Sequence, residues 1–155
     1  MKQRKLKLYL ENSAISMYFQ DDAPYLQNLT RQFWRDILPR FEAYISEAVL
    51  NEVKATEDAA LRQSIENPIK GFKVLDITEE VVKLSGKYIS FRRLPRADAL
   101  HLASASIGEM NYLVTWNLRH LYKRGTQEMI REVNARMMIP VPTIVTPEDL
   151  FEEEE

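Results

Sequence analysis

The spacing of apolar residues along this chain changes period several times, and each change marks a new element. Lys5 to Leu10 (KLKLYL) alternates polar and apolar side chains, the period-two signature of a strand. Between Asp21 and Arg40 the apolar positions Leu26, Leu29, Phe33, Trp34, Ile37 and Leu38 fall at helical spacing, and Pro39 terminates that helix. Phe41 to Ile45 predicts a second strand, and Ser46 caps a helix running through Lys54. Thr56 to Glu66 predicts a helix ended by Pro68, and Phe72 to Ile77 a third strand. Thr78, followed by Glu79 and Glu80, starts the next helix with acids at the positive end of its dipole.

The second half repeats the alternation. Pro95 opens a helix to about Ile107, which Gly108 closes. Tyr112 to Thr115 is a fourth strand, Thr126 to Met137 a helix, and Pro142 to Val145 a fifth strand. Thr146-Pro147-Glu148-Asp149 supplies a cap, a proline at the first helical position and an acid, the start of a last helix. Strands alternating with helices predict an α/β domain of about five parallel strands with helices on both faces. Neither an internal repeat nor a linker interrupts it, so residues 1–150 form one domain, followed by an acidic tail at 151–155.

Composition narrows the class. At 155 residues, 45% hydrophobic and 28% charged, the chain can bury a core without cross-links. The absence of cysteine excludes disulfides, thiolate metal sites and a cysteine nucleophile, and it suits a reducing cytoplasm. No apolar run approaches the roughly 20 residues of a membrane span, and the basic start from Met1 to Lys7 leads into too short an apolar stretch for a signal peptide. The net charge of -2 is unevenly spread. Residues 83–136 carry 10 basic and 4 acidic side chains, whereas residues 137–155 carry six acids and no base. A basic segment of this kind fits either a polyanion-binding face or a solvated surface.

Candidate chemistry follows from the strand boundaries, because an open parallel sheet binds ligands beyond the carboxyl ends of its strands. Glu11 follows the first strand and Asn117 the fourth; Glu52 lies in the helix after the second strand, and Asp98 in the first turn of the helix before the fourth. Convergent carboxylates repel one another, so burying them together calls for a cation. An oxygen-only set suits Mg²⁺ or Mn²⁺, the ions of phosphodiester chemistry.

These segments, taken together, resemble the PIN-domain proteins, close to the VapC-type toxin ribonucleases of prokaryotic toxin–antitoxin pairs. Leu8-Tyr9-Leu10-Glu11-Asn12-Ser13 is similar to the family's first motif, Ser46-Glu47-Ala48-Val49-Leu50-Asn51-Glu52 to the second, Asp98-Ala99-Leu100-His101-Leu102-Ala103-Ser104-Ala105 to the third, and Leu113-Val114-Thr115-Trp116-Asn117 to the fourth. The resemblance runs from about Leu8 to Leu150. It implies a Mg²⁺- or Mn²⁺-dependent endoribonuclease with Glu11, Glu52, Asp98 and Asn117 as catalytic residues and metal ligands, and a product bearing a 5′-phosphate. It also implies a homodimer and a small antitoxin that covers the site. Ser13 and Thr115 support the site in this resemblance, and Ser13 doubles as a helix cap. Two positions depart from the family pattern: Glu11 stands where Asp is usual, and Asn117 where an acid is usual. A branch of the family reads Thr-Trp-Asn-x-x-His here, which Asn117 to His120 matches.

Other residues carry two readings each. His101 either orients Asp98 or touches substrate, or else packs as a core histidine; His120 either contacts phosphate or caps a helix; Trp116 either stacks on a base or is buried in the core or an interface. Arg92, Arg93 and Arg96 precede Asp98, and Arg119, Lys123 and Arg124 follow Asn117, a placement suited to the RNA backbone or to an exposed face. The alternatives to a ribonuclease are a weakened PIN fold that binds RNA or protein without cutting it and, less favoured for want of a threading insertion, a nuclease of structured DNA.

Overall fold

The structure, a computed structural model, describes residues 4–153. Its five strands are β1 (Lys7–Leu10), β2 (Glu42–Ser46), β3 (Lys73–Leu75), β4 (Tyr112–Val114) and β5 (Thr143–Val145). All pair in parallel, in the order β3-β2-β1-β4-β5. The helices are α1 (Asn12–Ser16), α2 (Pro24–Gln32), α3 (Glu47–Lys54), α4 (Ala59–Ile69), α5 (Glu79–Phe91), α6 (Arg96–Ile107), α7 (Arg124–Met137) and α8 (Pro147–Glu153). From β1 the chain steps outward through β2 to β3, crosses back to β4 and then continues to β5. Right-handed crossovers therefore lay α1 to α4 on one face and α5 to α7 on the other. The contacts agree: α1, α3 and α4 touch one another, and α5 packs on both α6 and α7.

Strand β1 departs from the burial that its alternating sequence predicts. Leu8, Tyr9 and Leu10 are all fully buried, because the central strand of a doubly covered sheet has no solvent face. The helix predicted to run unbroken from Asp21 to Arg40 is instead α2, then a wide turn at Phe33–Ile37, then a 3₁₀ turn at Leu38–Arg40. The Leu38 N–H reaches Phe33 O, one residue further back than in an α-helix. This widening ahead of Pro39 turns Phe33, Ile37 and Leu38 together into the core. Helix α4 begins later than predicted, where Asp58 Oδ1 accepts from Ala60 N at 3.0 Å and Leu61 N at 3.1 Å. It also runs past Pro68, which lies in the last turn and lets Ile69 reach the core. Strand β3 is shorter than predicted, a three-residue edge with Val74 exposed, as exposed edges tend to be. Helix α8 extends to Glu153, and the remainder of the acidic tail lies outside the described residues.

Candidate active site

Glu11 directly follows the central strand, and its N–H donates to Val114 O at 3.1 Å, extending the β1–β4 ladder by one bond. The backbone is therefore fixed where the side chain leaves the sheet. Glu11 caps α1: Oε2 accepts from Ser13 N at 3.1 Å, and Oε1 accepts from Ser13 Oγ at 2.5 Å and from Thr115 Oγ1 at 2.6 Å. The methylene that distinguishes Glu from Asp is accommodated by turning the carboxylate onto these hydroxyls. Ser13 Oγ accepts from Trp116 N at 2.8 Å, and Thr115 Oγ1 from Asn117 N at 2.9 Å. Two hydroxyls thus tie the ends of β1 and β4 to one carboxylate.

Asp98 lies in the first turn of α6, where the helix dipole favours a negative charge. It is 8% exposed, and its carboxyl is held above the usual carboxylate range. Burial is the largest cause, the charges of Glu11 and Glu52 add to it, and His101 and His120 oppose it. Asn117 Nδ2 donates to Asp98 Oδ1 at 3.3 Å, while Asn117 Oδ1 accepts from His120 N at 2.9 Å. The amide thus presents its nitrogen to the acid and spends an oxygen lone pair on the 117–120 turn. Asn117 replaces a negative charge with a donor.

One turn beyond Asp98, His101 is fully buried. Its Nε2 bonds Glu52 Oε1, and its Nδ1 meets the Tyr9 hydroxyl at 2.6 Å. Burial opposes protonation of this imidazole, but the Glu52 hydrogen bond and the charges of Glu11, Glu52 and Asp98 outweigh it and raise its pKa. Glu52 projects from α3 with its side chain 33% exposed. Ligand atoms of Glu11, Glu52 and His101 lie within 4.8 Å of one another, so the compact group among the described residues includes an imidazole, with Asp98 coupled to it electrostatically. With both nitrogens of His101 already engaged by Glu52 and Tyr9, the donors left for a cation are the carboxylate oxygens of Glu11, Glu52 and Asp98, a set that suits a hard divalent ion.

The basic residues divide into two kinds. Arg93, Arg96, Arg119 and Lys123 are exposed. Arg92 is half-buried: its Nε donates to Thr126 Oγ1 at 3.0 Å, and its guanidinium lies on Gly125, where a Cβ would meet Nη1 at 2.5 Å. Thr126 Oγ1 in turn donates to His120 O at 2.6 Å, so Arg92 fastens α5 to the start of α7 beside the site. Trp116 is anchored through its indole N–H to Thr30 Oγ1 at 2.8 Å. Sequence reasoning passed over Tyr9, Ser46 and Thr126. A tyrosine inside an apolar strand reads as core, and Ser46 reads as a helix cap, which it also is, accepting from Ala48 N at 3.1 Å.

No known family's sequence profile matches the chain, and no curated protein matches it. Solved structures do. A toxin–antitoxin complex from Klebsiella pneumoniae aligns at TM-score 0.57 and 17% identity, over 77% of this chain and 93% of the other. VapBC2 from Rickettsia felis, bound to a DNA fragment from its promoter, aligns at 0.57 and 16% identity over 91% and 98% of the two chains. VapBC-1 from nontypeable Haemophilus influenzae aligns at 0.59 and 12% identity, over 92% and 99%. The fold is VapC-like. The VapC-like sheet and its flanking helices match these structures over nearly their whole length. No helix among the described residues is long and apolar enough to cross a membrane.

Proposed function

We propose that this chain is a Mg²⁺- or Mn²⁺-dependent endoribonuclease acting as the toxin of a toxin–antitoxin pair. The observation that carries the proposal is the convergence of Glu11, Glu52 and His101, with Asp98 beside them, at the carboxyl edge of a VapC-like sheet. Grouped acids of this kind repel one another, and a bound cation offsets that repulsion. Glu11, Glu52 and Asp98 hold the metal, and Asn117 completes the site by holding Asp98. A divalent ion bound there supplies Lewis-acid polarisation of a phosphoryl oxygen and acidifies water. Ser13 and Thr115 fix the Glu11 carboxylate, and the apolar sheet beneath it excludes solvent from one side of the acids. Arg93, Arg96, Arg119 and Lys123 hold the RNA backbone, with Arg92 bracing the loop beneath them and His120 near Asp98 available to a phosphate. A homodimer and an antitoxin that covers the acids complete the reading; the toxin–antitoxin assemblies among the similar structures support the antitoxin partner.

Cleavage of a mixed RNA pool with Mn²⁺ tests this, alongside EDTA and Asp98→Ala controls. Cleavage lost in both controls, by about a hundredfold or more, is the expected result. A second reading rests on the orientation of Asn117, whose amide nitrogen faces Asp98. It makes the chain a module that binds RNA or protein without cutting. RNA that stays intact with folded, inhibitor-free protein supports that module, and the absence of Mn²⁺-induced stabilisation strengthens it.

A further inference from the structure

The three acids are held by different means. Glu11 is fixed by Ser13 and Thr115, and Asp98 receives Asn117. Glu52 has three side-chain torsions and stands a third exposed on α3, so a free carboxylate there would spread over several rotamers reaching into solvent. It is met instead by a buried circuit. His101 Nε2 bonds Glu52, His101 Nδ1 bonds the Tyr9 hydroxyl, and Tyr9 bonds Ser46 Oγ at 2.7 Å. Ser46 Oγ then accepts from Ala48 N at the start of the same helix that carries Glu52. The circuit therefore leaves α3, passes through α6 and β1, and returns to α3. Tyr9, Ser46 and His101 are each fully buried.

This closure restricts the imidazole. Both ring nitrogens are engaged, so a flip about χ2 would put carbon atoms where Glu52 and Tyr9 need hydrogen-bonding partners. The hydroxyls of Tyr9 and Ser46 each donate and accept, so the circuit stays satisfied with His101 donating to Glu52 and accepting from Tyr9. The sequence offers His101 either a role toward Asp98, one turn earlier on α6, or a place packed in the core. In the structure its ring bonds Glu52, 49 residues away.

We propose that His101, locked by Tyr9 and Ser46, is the positioning residue that holds the Glu52 carboxylate in place for a divalent cation. The proposal rests on the reading of Glu52 as a metal-binding carboxylate. Partners outside the ligand shell that orient ligands typically contribute 10–100-fold in metal affinity.

Mn²⁺ binding to the purified chain, measured by calorimetry without RNA, tests the proposal, with melting curves to verify folding. His101→Ala is expected to weaken Mn²⁺ binding by about 10–100-fold. His101→Gln, whose amide can still donate toward Glu52, should recover most of the loss. Tyr9→Phe keeps the ring packing, removes the lock and is expected to weaken binding several-fold. In a Glu52→Gln background, His101→Ala should change nothing further, because it acts through the group already altered. Folded His101→Ala that binds Mn²⁺ as wild type overturns the proposal, as does an undiminished loss in the Glu52→Gln background, the mark of a direct ligand. If His101→Ala does not fold, wild-type Mn²⁺ affinity in Tyr9→Phe overturns it equally. Failure of the underlying metal site is distinguishable, since Glu52→Ala would then also bind Mn²⁺ as wild type.

Discussion

Asp98 is less comfortable in the folded chain than in water. Burial and the neighbouring charges of Glu11 and Glu52 lift its pKa above the ordinary carboxylate value of 3.8. The folded state therefore binds this proton more tightly than the unfolded state. Below the unfolded pKa both states are protonated and the group costs nothing; as pH rises through the folded pKa, the full destabilisation develops. Asp98→Asn removes the charge and keeps the shape. In EDTA at pH 7 it should be more stable than wild type by about 0.5–2 kcal/mol, while its Mn²⁺ binding is lost. Urea unfolding at pH 7 and near pH 3.5 checks this, because the advantage should close at the lower pH. An equal gain at both values would mean that charge is not its source. The acids themselves were legible in the sequence because each sits at a strand end or in an adjoining helix turn. The partners that organise Glu52 were not, since the Tyr9–Ser46 and Tyr9–His101 bonds join residues 37 and 92 positions apart.

Helices α5, α6 and α7 are joined by a second buried polar cluster, away from the acids. The Tyr88 hydroxyl donates to Asn134 Oδ1 at 2.6 Å and meets Ser106 Oγ at 3.0 Å. Asn134 Nδ2 reaches Ser106 Oγ at 3.0 Å and Pro140 O at 3.1 Å. Burial pushes the Tyr88 hydroxyl up to about 12, so it remains a donor throughout the usable pH range. Tyr88→Phe leaves Asn134 Oδ1 without this donor and should cost about 1–3 kcal/mol in denaturant midpoint, with Mn²⁺ affinity unchanged. A change in Mn²⁺ affinity would show that the helix layer and the acid group are coupled. At this scale the period changes located every strand and most helices, because burial of one face is written into local spacing. They could not locate the wide turn at Phe33–Ile37, where three core side chains compete for one direction just ahead of Pro39. Nor could they show that β1 is buried on both faces, since that depends on which strand the topology places at the centre.

Over the whole molecule, exposed cations lie next to recessed acids. Arg93 and Arg96 flank the start of α6, and Arg119 and Lys123 lie on the loop between Asn117 and α7; all four are exposed. The acids beside them are mostly recessed, with Glu11 at 5% and Asp98 at 8% exposure. On the proposed reading, an RNA strand drawn to these cations would have its backbone brought over the carboxylates, whose repulsion a divalent ion would offset. Each phosphate contact made by a cation releases counterions, so affinity for a single strand falls with salt by a slope of about 0.7 per contact on logarithmic axes. Replacing Arg119 and Lys123 together with alanine should flatten that slope by about 1.4, measured on a single-stranded RNA in EDTA so that no cleavage intervenes. Arg136→Ala is the control, because Arg136 pairs with Glu132 in the last turns of α7 and is not on that loop. A slope unchanged in the double variant would move the RNA path off the loop after β4. An equal flattening in the control would mean that net charge alone governs binding. A loss confined to the double variant would tie RNA to the same loop that sets Asn117 against Asp98.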